Sequence, residues 1–179
     1  MWVFGYGSLV WKVDFPFERK EIGYIKGYER RFYQHSTDHR GTVNNPGRVV
    51  TLIPSDNPES KVFGVAYKIK EEDIDYVVNH LDYREKGGYE RVSVLFYPRN
   101  NESFPFSIII YLANHENPHF AGYADIKDIA KQVVKCSGPS GANIDYVLNL
   151  ANSMRKIAPE EEDSHLFDLE KAVLALANS

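Results

Sequence analysis

The sequence predicts an α+β fold, with strands in its first two-thirds and helices in its last third. Three observations carry this. Short runs of β-branched and aromatic residues, bounded by Gly, Pro or Asn, recur from Trp2 to Leu112. Inside that region Ile74, Val77, Val78 and Leu81 switch to the i, i+3, i+4, i+7 spacing of an amphipathic helix. From Asp125 onward the helical period takes over. Strands and helices are segregated and do not alternate, which argues against a wound βαβ sheet. The 179 residues suit one domain, residues 1–179, with a substantial core.

The elements follow in order. Residues 2–6 read as a buried strand that runs into a turn bracketed by Gly5 and Gly7. Lys12 to Phe17 is a loop punctuated by Pro16. Glu21 to Gln34 reads as one or two strands with a bend or bulge at a glycine. His35 to Gly47 is polar and glycine-bearing, a loop of the length that compact domains tend to use for function. Arg48 to Ile53 is a strand closed by Pro54, and Lys61 to Ile69 is another. The Ile74–Leu81 helix is stopped by Gly87-Gly88. Tyr89 to Tyr97 and Phe104 to Leu112 are two further strands. Ile126, Ile129, Ala130, Val133 and Val134 line one face of a helix that Ser137-Gly138-Pro139-Ser140-Gly141 interrupts. Ile144, Val147, Leu148, Ala151 and Met154 line the next. Asp163 or Ser164 caps a last helix through Leu166, Leu169, Val173 and Leu176.

Composition narrows the function classes. A net charge of -4 argues against a broad nucleic-acid or anionic-membrane surface, though not against a local basic patch. One cysteine, Cys136, rules out an intrachain disulfide and fits a reducing compartment. No stretch has the length of a membrane span, and the N-terminus lacks the pattern of a secretory signal. A soluble cytosolic protein is expected, with no membrane or nucleic-acid partner. The oligomeric state is not legible.

Candidate chemistry sits in three places. The Gly5-Tyr6-Gly7-Ser8 stretch is either a tight turn between strands or a nest of backbone N–H groups aimed at an anion. Glu85 lies four residues after Leu81, on the core-facing side of the helix end. Burial and the negative end of the helix dipole would raise its pKa toward that of a general acid-base. The alternative is a charge cluster in which Arg84 or Lys86 pairs with Glu85. The loop from Gln34 to Arg48, with Arg30-Arg31-Phe32-Tyr33 before it, reads as an anion grip, a strip for single-stranded nucleic acid, or a plain surface loop. His35/His39 and His115/His119 are spaced four apart in loop-like stretches, so no metal site is expected. Cys136 is expected to pack in the core, on a helix. Ser8 fails the Gly-x-Ser-x-Gly pattern of a hydrolase. No cofactor motif is present, and no cofactor is expected.

Two motifs taken together are specific. Phe4-Gly5-Tyr6-Gly7-Ser8-Leu9-Val10-Trp11 and Arg84-Glu85-Lys86-Gly87-Gly88-Tyr89 resemble the signature of the ChaC-type, glutathione-specific γ-glutamylcyclotransferases. Arg30-Arg31-Phe32, Ser36-Thr37-Asp38-His39-Arg40-Gly41, the run Pro46 to Leu52 and Gly138-Pro139-Ser140-Gly141 are similar to that family as well. The likeness runs from residue 1 to about residue 170 and is to the short cytosolic form; residues 98–125 follow it more loosely. The resemblance implies a small mixed β-barrel with flanking helices, and glutathione as substrate. It implies that Tyr6, Gly7, Ser8 and Leu9, with Val3, Phe4 and Gly5 leading into them, bind the γ-glutamyl group. It also implies that Glu85 is catalytic and that Tyr146 lines the pocket. Arg40 and Arg48 are candidates for the glycine end. Two other functions remain open at this point. One is a cyclotransferase for other γ-glutamyl amino acids or γ-glutamylamines, the other a non-enzymatic binding module on the Arg30–Arg48 strip.

Overall fold

A computed structural model of the chain describes residues 1–84, 89–100 and 102–179. These residues fall into two compact units that are interleaved in sequence. The first comprises Met1–Glu29 and Leu52–Pro118, the second Arg30–Thr51 and His119–Ser179.

The first unit is a closed barrel. Its strands are β1 (Trp2–Gly5), β2 (Arg19–Lys26), β5 (Lys61–Lys68), β6 (Tyr89–Pro98) and β7 (Phe106–Ala113), in the order β1-β5-β2-β6-β7. Neighbours pair antiparallel except at the closure, where Val3 of β1 meets Ile109 of β7 in parallel. That single parallel contact makes the barrel mixed. Closure gives every strand two neighbours and leaves no free edge. The strands can then aim apolar side chains inward, and Phe4, Ile25, Leu52, Val62, Ala66, Phe96, Ile108, Ile110 and Leu112 form one buried cluster. The helix α1 (Ile74–Arg84) belongs to this unit and buries Val77 and Leu81, two of the four positions that its sequence period marks.

The expected break between the second and third strands occurs at Gly27. Its φ of 84° lies in the left-handed region that a side chain disfavours, and β2 ends one residue before it. β3 (Tyr28–Ser36) then pairs with β4 (Gly47–Pro54), and most of this pair belongs to the second unit. The remainder of that unit is helical: α2 (Ile126–Lys135), α3 (Asn143–Ile157) and α4 (Ser164–Ala177), with α4 packed against both others. Ile129, Val133, Val147, Leu166, Leu169 and Val173 are fully buried at positions that the sequence period marks. On α3 the buried face is turned from the expected one: Tyr146 and Leu150 are buried, while Ile144 and Leu148 are half-buried. Asp163 is the cap of α4, its side chain accepting from the Leu166 N–H at 3.1 Å.

Three expectations are adjusted. The Ser137–Gly141 break is a small hairpin, β8 (Ser137–Gly138) paired with β9 (Gly141–Ala142), because Gly141 at φ 116° permits the reversal. Cys136 is buried as expected, but it stands just past α2 as its C-cap, with Sγ donating to the Pro46 carbonyl at 3.3 Å. His35 lies on β3 and not in the loop. Among the described residues no helix is long and apolar enough to cross a membrane.

Candidate active site

β1 delivers the chain directly into the Gly5–Leu9 turn. Val3, Phe4 and Gly5 are buried, and Tyr6 to Leu9 are half-buried. Gly5 is needed where it stands, since a Cβ there would lie 2.9 Å from Leu9 Cβ and 3.2 Å from the Tyr67 ring. Ser8–Val10 then form a single 3-10 turn, closed by Val10 N–H donating to Gly7 O at 3.0 Å. Three separate elements tie the turn down. Tyr6 OH donates to the Tyr111 carbonyl of β7 at 2.5 Å. Tyr67 OH of β5 donates to the Leu9 carbonyl at 2.5 Å. Arg84, the last residue of α1, donates from Nη2 to Ser8 Oγ at 2.6 Å. Among the described residues no acceptor takes the N–H groups of Gly7, Ser8 or Leu9. The backbone of the turn therefore carries three successive N–H groups without a protein acceptor among the described residues.

Two of the phenols are held in their neutral form. Burial pushes Tyr67 up to about 12. Burial, and then the hydrogen bond that Tyr111 OH donates to Asp82 Oδ1 at 3.1 Å, does the same for Tyr111, also about 12. Both stay donors across the working pH range, so neither the Tyr67 strap on Leu9 nor the Tyr111–Asp82 bond titrates away. Asp82 is thus engaged by Tyr111, and Arg91 Nε lies 3.8 Å from the same Oδ1.

Arg84 is itself bracketed. Its Nη1 lies 3.2 and 3.3 Å from the two carboxylate oxygens of Asp14. His80, one helical turn earlier, brings Nε2 to 3.1 Å from Asp14 Oδ2, close enough for an ion pair but not aligned as a hydrogen bond. Glu85, the expected catalytic carboxylate, lies outside the described residues, as do Lys86, Gly87 and Gly88.

The other candidates belong to the second unit. Tyr146 on α3 is buried, and its OH accepts from the Val50 N–H at 3.3 Å. The Arg40 guanidinium stands 5.8 Å over its ring and donates from Nη1 to the Ala142 carbonyl at 3.1 Å. Arg48 is buried, with Nε on Gln132 Oε1 at 2.8 Å and Nη1 on the Phe32 and Gly122 carbonyls at 3.0 and 3.2 Å. Burial lowers its pKa from the usual guanidinium value. His35 is pushed down by burial and by the nearby charge of Arg48. The loop after Ser36 is stitched to the β8–β9 hairpin by the Ser140 N–H donating to the His39 carbonyl at 2.9 Å. Among the described residues no cluster of His, Cys, Asp or Glu is arranged to hold a metal.

Tyr67, Tyr111, Asp14 and His80 were not among the sequence candidates. His80 and Arg84 are four apart on one helix, a spacing that marks a shared face. Nothing local marks their partner Asp14, which is 70 residues from Arg84.

A family model described as ChaC-like protein matches residues 1–176. A Danio rerio protein named glutathione-specific gamma-glutamylcyclotransferase 1 is 44% identical over 177 residues, which cover 98% of this chain and 89% of that protein. An Arabidopsis thaliana protein named gamma-glutamylcyclotransferase 2-3 is 45% identical over 179 residues, 97% of this chain and 88% of its own length. A crystal structure of a γ-glutamyl cyclotransferase specific to glutathione from yeast is similar with a TM-score of 0.89 at 30% identity, covering 98% of this chain and 96% of that one. The family match takes in the Gly5–Leu9 turn, the Arg84–Tyr89 run and the α2–α4 helices alike, and the chain belongs to the ChaC-like protein family.

Proposed function

We infer that the chain is an enzyme that cleaves glutathione by cyclisation, releasing 5-oxoproline and cysteinylglycine. The observation that carries this is the match of a relative named for that activity to 98% of the chain. The nucleophile travels with the substrate. The α-amine of the γ-glutamyl residue attacks its own γ-carbonyl carbon, a C–N bond forms and closes the five-membered lactam, and the original γ-amide C–N bond breaks. The α-ammonium first gives up a proton and the leaving amine finally takes one, so no water is consumed. Holding the chain in a near-attack conformer supplies much of the acceleration.

In this reading the N–H groups of Gly7, Ser8 and Leu9 hold the α-carboxylate of the substrate. Glu85 takes the proton from the α-ammonium and returns it to the leaving amine. Its neighbour Arg84 ends α1 and reaches Ser8, which supports a site shared by the turn and the run after the helix. The role of Tyr146 in binding substrate rests on the family likeness alone. For the glycine carboxylate Arg40 fits better than Arg48, whose burial and occupied Nε and Nη1 leave it little to offer. We take residues 1–179 to be one domain, since the chain passes between the two units three times and neither is contiguous. The compartment we assign is the cytosol, in keeping with the single cysteine.

Incubation with glutathione and detection of 5-oxoproline tests the activity, and folded protein that releases none overturns it. Equal turnover of γ-glutamyl-alanine would remove the preference for glutathione. Glu85→Gln is expected to keep the fold and bind 5-oxoproline while losing about a thousandfold in kcat. Asp82→Asn is expected to cost far less, because Asp82 serves Tyr111 and Arg91. A comparable loss in the two would mean that the carboxylate is wrongly assigned.

A further inference from the structure

Ser8 Oγ accepts from Arg84 Nη2 at 2.6 Å. A guanidinium carries donors only and keeps its charge at any working pH. A hydroxyl that accepts from it must direct its own single hydrogen elsewhere. Among the described residues nothing takes that hydrogen. Among the described residues the Ser8 O–H is therefore a donor without an acceptor, polarised by a cation on its oxygen. It stands in the same turn as the N–H groups of Gly7, Ser8 and Leu9. Arg84 is kept in place from behind. One of its nitrogens spans both oxygens of Asp14, and His80 closes on the same carboxylate from one turn earlier on α1, its ring stacked on Tyr76. The side chain of Arg84 is mostly buried and that of Asp14 more open, so the pair has one face to solvent and one to the turn.

We propose that Arg84 is a positioning residue: braced by Asp14, it sets the Ser8 hydroxyl as a donor to the substrate's α-carboxylate and so makes the turn selective for a free carboxylate over a carboxamide. Hydrogen bonds to an ionised acceptor are about twice as strong as neutral ones, so the polarised hydroxyl favours the charged form. This rests on the reading that the turn holds the γ-glutamyl group.

The test is a double-mutant cycle read as a ratio of dissociation constants. 5-Oxoproline and its carboxamide are titrated into the wild-type protein, Ser8→Ala, Arg84→Met and the double variant. The wild type is expected to favour the carboxylate by about tenfold or more. Each single variant shrinks that preference, and Arg84→Met adds little once Ser8 is Ala. In turnover both single variants raise the KM for glutathione more than they lower kcat. An Arg84→Met effect of the same size in both backgrounds overturns the proposal, as does a wild type that binds both compounds alike. If Arg84→Met fails to fold, Asp14→Asn takes its place in the cycle. It loosens the brace, and its smaller effect must likewise vanish in the Ser8→Ala background. Wild-type protein that releases 5-oxoproline from glutathione but gives an additive cycle refutes the role of Arg84 alone. Wild-type protein that releases none refutes the activity and this inference together.

Discussion

In the barrel unit the buried side chains are almost all apolar, with Asn117 the one polar exception among the described residues. In the helical unit Arg30, Gln34, Ser36, Arg48, Thr51 and Asn143 share the interior with the apolar core. The difference follows from where each unit finds partners for its backbone. A closed barrel pairs the N–H and C=O groups of its strands with one another, so its side chains are free to be hydrocarbon. The second unit has a two-stranded pair, a long loop and three helices, and side chains must complete what the ladder leaves open. Asn143 accepts from the Arg48 N–H and donates to the Arg48 carbonyl, both at 2.8 Å. Arg48 caps the Phe32 and Gly122 carbonyls, and Gln132 Nε2 donates to Pro46 O at 2.8 Å. Ser36 Oγ accepts from the Arg40 N–H at 2.8 Å. The buried Arg30 is paired with Asp163 at 3.0 Å, the same aspartate that caps α4. Polar burial here substitutes for sheet pairing.

The largest effect expected from this contrast is at Asn143. Asn143→Leu keeps much of the volume but leaves the N–H and C=O of Arg48 buried without partners. The expected loss is about 3 kcal/mol in urea unfolding. A cost no greater than that of a conservative barrel substitution would break the comparison.

Next in size is an acid sensitivity confined to the helical unit. His165 accepts from the Phe32 N–H through Nε2 at 3.0 Å. Burial first, and the nearby Arg31 charge second, push its pKa down to about 4 from 6.5. The folded state therefore holds His165 neutral, while the unfolded chain takes up the proton earlier. Its contribution is complete above the unfolded pKa and is lost as the pH falls toward about 4, on the order of 2 kcal/mol. His165→Gln, which keeps an acceptor but cannot charge, should flatten the stability-versus-pH curve between those two values. An unchanged slope would place the acid sensitivity elsewhere.

The smallest effect is in the barrel. Ile25→Val removes one methyl from a fully buried site and should cost about 1 kcal/mol, leaving the pH dependence unaltered. Measured beside Asn143→Leu, it sharpens the difference between an interior that loses area and one that loses partners.

By itself the sequence determined what is local. Each predicted strand and helix exists near those of its expected ends that fall on described residues, because side-chain period and turn residues act within a few positions of one another. The break at Gly27, the cap at Asp163 and the buried faces of α2 and α4 are of this kind. The Gly5–Leu9 turn was equally legible, as a glycine-bracketed stretch after a buried strand. Glu85 is marked by its position after Leu81 and by family likeness, and it lies outside the described residues. Only the tertiary structure decided the rest. The order β1-β5-β2-β6-β7 and its parallel closure depend on which strands meet after the barrel shuts, and no local pattern encodes that choice. The straps on the turn come from positions 58 to 105 residues away. The sequence marks Arg84 only as a partner for Glu85 and as part of the Arg84–Tyr89 run. Its contact with Ser8 and its brace on Asp14 exist because the barrel brings the end of α1 to the end of β1, a proximity set by closure and not by sequence spacing.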